Sequence, residues 1–74
     1  GAIVLDHLRA SADAYEAAGN GSAATNLRGA ANAVTSADAA LLSAFATGDA
    51  EEFFAAQDRL RGATIRADRL ADIV

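Results

Sequence analysis

Large aliphatic residues and alanines alternate at heptad spacing through the middle of this chain, at Leu27, Ala30, Val34, Ala37, Leu41 and Ala44. Steps of three and four residues return a side chain to the same face of a helix, so this run reads as one continuous seam on one long helix. The residue sizes then constrain the packing. A row that pairs one large with one very small side chain lets two helices approach to the short end of the usual range of about 8–10 Å between axes. Alanine makes up 22 of the 74 residues, and the seam's small residues fall at one heptad position with large ones at the other, which distinguishes the pattern from low-complexity filler.

A second seam follows at Phe53, Ala56, Leu60, Ala63, Ala67, Leu70 and Val74, again at steps of three and four. Between the two seams, Gly48 suits a helix C-terminal cap, and Asp49 with Glu52 three residues later makes an Asp version of the capping box. So short a connection forces two long helices to fold back antiparallel as an αα-hairpin. A shorter helix precedes the hairpin, with Leu5, Leu8, Ala12 and Tyr15 on one face, and Gly19-Asn20-Gly21 ends it. Ser22 is the expected N-cap of the helix that follows. The chain is therefore predicted to be an all-α three-helix bundle, one domain over 1–74, with helices at about 3–18, 23–47 and 50–73.

The predicted bundle is uneven. The hairpin helices are about 36–39 Å long and the first helix only about two thirds of that, at 1.5 Å per residue. Leu42 and Phe45 broaden the seam near the end of the second helix, and the third helix carries more apolar area than one seam consumes. The candidate interaction surface is accordingly Phe45, Phe53, Phe54, Ile65 and Ile73. Its expected partner is a second copy or another helical protein. The plain alternative is that the monomer wraps its own helices over these residues.

Composition removes several function classes. A chain of this length buries only about 60–65 % of its unfolded surface, so a small core often needs a staple. Cysteine is absent and His7 is the sole histidine, which leaves no disulfide and no set of ligands for a zinc shell. Idealised helix packing and oligomerisation remain. The net charge of −4 argues against a phosphate-binding surface, so nucleic acid is not an expected partner. No apolar run approaches the roughly 18 residues needed to span a bilayer, so no membrane partner is expected and the location is read as cytoplasmic. The first residues, Gly1-Ala2-Ile3-Val4, and the last, Ile73-Val74, leave open that this is a fragment of a longer chain.

Reactive chemistry is sparse. His7 is the one side chain with an ordinary pKa near neutrality, and it stands beside Asp6 without a serine, cysteine or second histidine at a pairing distance in sequence. A surface or structural histidine is expected. Carboxylates are plentiful, but no Glu-x-x-His pair occurs, and a four-helix di-metal site would draw on such pairs. Asp38, next to the seam residue Ala37, reads as a solvated flank or as a partner across the hairpin for Arg66 or Arg69. Arg59, Arg61, Arg66 and Arg69 alternate with Glu51, Glu52, Asp58, Asp68 and Asp72, and pairs such as Asp58 with Arg61 are the ordinary helix-surface kind. No catalytic, cofactor or metal site is expected.

Two resemblances accompany this reading. Ala-Ala-Thr-Asn-Leu at 23–27 and Ala-Asn-Ala-Val-Thr-Ser-Ala-Asp-Ala at 31–39, followed by a short loop and an amphipathic helix, resemble the small actinobacterial HEPN domains. That resemblance implies a helical bundle that dimerises. Nuclease members carry an Arg with a His four to six residues later, and no histidine follows His7 here, so a noncatalytic relative is implied. The turn Phe45-Ala46-Thr47-Gly48, with Phe54 beyond it, resembles the WXG helical hairpins exported by type VII systems, although the tryptophan is absent. The expected function is a noncatalytic helical interaction or oligomerisation module. The alternatives are a secreted hairpin that pairs with another small helical protein, and an RNA-acting HEPN enzyme with a displaced site.

Overall fold

A computed structural model describes residues 2–74 as three α-helices, α1 (Ala2–Ala17), α2 (Gly21–Thr47) and α3 (Ala50–Ile73), with no strand among the described residues. They pack on one another as an all-α three-helix bundle. Both turns are made by local chemistry. At the end of α1, Gly19 takes the left-handed conformation (φ 86°), while its amide donates to the Glu16 carbonyl and the Asn20 amide to the Tyr15 carbonyl, at 3.0 and 2.8 Å. These two bonds satisfy carbonyls that a helix end leaves without partners.

The N-cap of α2 is Asn20 and not Ser22. Its side-chain oxygen accepts from the Ala23 amide at 3.1 Å, and the helix begins two residues earlier than the sequence suggests. Asparagine and serine cap about equally well, so the residue nearest the preceding turn takes the position. At the other end Gly48 is left-handed (φ 74°) and its amide reaches the Ala44 and Phe45 carbonyls. Asp49 then caps α3 by accepting from the Glu52 amide at 3.2 Å. One glycine and one aspartate thus close α2 and open α3.

The two seams meet as expected. In α2, Leu27, Ala30, Val34, Ala37 and Ala44 are buried, and in α3 Ala56 and Ala67 are. The larger members Leu41, Phe53, Leu60 and Leu70 are half-buried. Leu8 is the one large side chain wholly buried among the described residues. A core of methyl groups gains about 0.8 kcal/mol per buried carbon, so its stability comes from many close contacts and not from a few large side chains.

α1 packs antiparallel on a neighbouring stripe of α2, where Ala24 and Ala31 are fully buried against Leu8 and Ala12. Arg9 donates to the Thr35 hydroxyl at 3.3 Å, and Arg28 reaches Glu16 and Asp13 of α1 at 2.7 Å each. These pairs fix the level of α1 along α2. It covers the stripe Ala24, Arg28, Ala31 and Thr35, and the same steps of four and three continue to Asp38, Leu42 and Phe45, which are exposed. Past Asp38 the hairpin is therefore two helices thick. Tyr15, placed on the buried face by its spacing, is 37 % exposed. A phenol keeps its hydroxyl in water when no buried partner is at hand, and none of the side-chain hydrogen bonds among the described residues involves it.

The result is a rod of 46 × 18 × 17 Å with a radius of gyration of 13.9 Å. A compact chain of this length would have about 11 Å.

Candidate interaction surface

The end of the hairpin beyond α1 gathers the phenylalanines. The Phe45 and Phe53 rings lie 6.2 Å apart at a tilt of 56°, and Phe53 and Phe54 lie 5.9 Å apart edge to face. Aromatic pairs favour these tilted arrangements at such separations. The antiparallel register accounts for the cluster, since Phe45 in the last turn of α2 and Phe53 in the first turn of α3 flank the same tight turn. Phe53 belongs to the seam and is half-buried, whereas Phe45 is 74 % exposed and Phe54 61 %. Together with Ala44, Gly48, Asp49 and Ala50 they line a shallow concavity of about 260 Å³. Leu42, one turn below Phe45, is 72 % exposed and extends the apolar strip.

Ile65 and Ile73 do not join this cluster. Eleven and nineteen residues beyond Phe54 on a straight helix, they stand about 16 and 28 Å away along α3. Ile65 is 45 % exposed beside a second shallow groove with Asn26, Gly62, Arg66, Arg69 and Leu70, and Ile73 is exposed near the opposite end of the rod. The expected five-residue surface is thus a three-residue cluster and two separate isoleucines. Periodicity reports the angle of a side chain around its helix, not whether a third helix reaches its level, and so it does not single out the exposed Leu42 and Ile3.

The charged groups sort in the same way. Asp38 is exposed and forms no ion pair among the described residues, while Arg66 and Arg69 lie level with Asn26, about 18 Å down α2 from it. The antiparallel register separates the proposed partners. The Asp58–Arg61 pair forms at 3.6 Å between two well-exposed side chains, and Arg69–Asp72 does not form. The strongest polar contact is one the sequence reading missed. The Arg28 guanidinium forks between Glu16 and Asp13, and these two hydrogen bonds, first Glu16 and then Asp13, raise its pKa above the ordinary arginine value. The signal was present as two acids three residues apart on α1, but the choice among six arginines required the helix register.

His7 is exposed on α1 and takes part in no side-chain hydrogen bond among the described residues. No group of three or more His, Cys, Asp or Glu side chains is arranged to hold a metal ion among them. No described helix is long and apolar enough to cross a membrane. No family model matches the chain, and no curated protein or solved structure does.

Proposed function

We propose that this chain is a noncatalytic helical interaction module that self-associates through its uncovered apolar surface. The observation that carries the reading is the exposure of Leu42 and Phe45 on a strip whose continuation lower on α2 is covered by α1, with Phe54 of α3 exposed beside the same turn. Taking about 200 Å² for a whole phenylalanine, the exposed parts of Phe45 and Phe54 come to roughly 270 Å². At about 25 cal/mol per Å², covering them is worth at most about 7 kcal/mol before the cost of association, which itself runs from about 4 to 15 kcal/mol. The two rings alone therefore support a weak complex, and a stable one recruits more of the surface.

Sedimentation velocity tests this directly. The wild type is expected to show concentration-dependent association in the high micromolar range, and Phe54→Ala to weaken it without loss of helix by circular dichroism. A species that stays monomeric throughout, indifferent to Phe54→Ala, would overturn the reading. The HEPN-like and WXG-like alternatives make separate predictions. Ribonuclease activity that survives His7→Ala would favour a displaced RNA-acting site, and a stable heterodimer with another small helical protein would favour the exported hairpin.

A further inference from the structure

An exposed stripe of α3, away from its seam, carries a charge pattern whose one ion pair within the chain among the described residues is the long Asp58–Arg61 contact. Glu51, Phe54, Asp58, Arg61 and Ile65 follow one another at steps of three and four, with Arg69 four residues further on, and all six are exposed. Such steps place them along one stripe, opposite the seam of Phe53, Ala56, Leu60 and Ala63. Read along the helix, the order is acid, apolar, acid, then base, apolar, base.

That order is self-complementary only when reversed. We propose that two copies of the chain pair through this face of α3, antiparallel about a twofold axis passing between Asp58 and Arg61. This refinement rests on the self-association proposed above. In that register Phe54 of one copy meets Ile65 of the other, Asp58 meets Arg61, and Glu51 meets Arg69, each contact occurring twice. A parallel pairing would instead set acid against acid and base against base. A tip-to-tip contact centred on the aromatic cluster would oppose Asp49, Glu51 and Glu52 of both copies, in a half of the molecule that holds no arginine between Arg28 and Arg59. Like charges placed opposite each other disfavour such docking.

Two further observations fit this occupant. The Asp58–Arg61 pair within one chain is long and well exposed, at 3.6 Å, so its members are free to exchange partners across the axis. Gly62 lies beside the axis in a helix interior, where glycine weakens the helix, and a Cβ placed there would have nothing within 4 Å. Nothing within the chain requires the small residue at that point. A second helix crossing beside it has room to approach there. Twofold pairs of this isologous kind are also the commonest closed assembly of identical chains.

The absence of cysteine makes the register directly testable. In the proposed dimer Glu51 of one copy is adjacent to Arg69 of the other but about 27 Å from its own counterpart, and a disulfide needs Cα atoms within about 7 Å. Glu51→Cys and Arg69→Cys chains should therefore cross-link when mixed under mild oxidation and not when oxidised separately. Sedimentation should show Phe54→Glu and Ile65→Glu each weakening the dimer about tenfold or more, with wild-type association also weakening as salt rises. Loss of association in Phe54→Glu with none in Ile65→Glu would overturn this pairing and leave the self-associating module standing. Self-cross-linking of Glu51→Cys in preference to the mixture would overturn it in favour of a parallel or tip-to-tip contact. A wild type that never associates would overturn both proposals.

Discussion

Alanine's role here is to set distance, and the strictest consequence falls on Ala37. It is buried between α2 and α3 in the part of the hairpin that α1 begins to leave uncovered. Replacing it with leucine forces extra methylenes into a gap built for one methyl, which costs about 1–3 kcal/mol by overpacking. For a domain of this size each kcal/mol lowers the melting temperature by about 4–8 °C, so thermal unfolding resolves the effect. Leu8 makes the opposite point. As the one large side chain wholly buried among the described residues, it has no redundancy, and Leu8→Ala is expected to cost about 3–5 kcal/mol, enough to leave much of so small a domain unfolded at 37 °C.

At the level of elements, the helix ends depend on a few caps whose effects can be measured separately. Asp49→Ala removes the acceptor of the Glu52 amide and is expected to cost about 1 kcal/mol in chemical denaturation. Gly48→Ala places a Cβ in the left-handed region at φ 74°, for a cost of about 1–2 kcal/mol, although nothing crowds the site. Features of this kind were legible in the sequence because they depend on neighbours along the chain. Gly48, Asp49 and both seams could be assigned from spacing and residue type alone. Features that depend on axial level between helices could not. The exposure of Leu42 and the fork of Arg28 follow from where α1 lies along α2, whereas the separation of Ile65 and Ile73 from the phenylalanines follows from helix rise along α3 alone. Ser22 was displaced as N-cap by a competitor two residues away that capping preference ranks equally.

Across the whole molecule, the charged contacts that join α1 to the hairpin predict a particular response to solution conditions. Arg28 has a folded pKa above its ordinary value, so its contribution is complete below that ordinary value and is lost only as pH rises through the raised one. Neutral pH is far below both. Titrating from pH 6 to 9 should leave this contribution unchanged, whereas salt should reduce it, because the partner carboxylates of Asp13 and Glu16 are exposed and screened. Arg28→Gln is accordingly expected to lower the melting temperature slightly at low ionic strength and to match the wild type at high salt. The rod shape also places the aromatic half outside the three-helix core, so backbone amides near Phe45 and Phe53 should exchange with deuterium faster than those near Leu27.

The two-residue link at Gly48-Asp49 restricts how this architecture can change in length. With no spare loop residue to take up slack, one residue inserted near the start of α3 would rotate everything after it by about 100° and turn a charged flank toward α2. Compensation requires whole heptads, added to both arms together so that the large and small positions stay in phase. Viable length variants of this hairpin should therefore differ by multiples of about seven residues per helix, while single-residue insertions and deletions in either arm should be excluded.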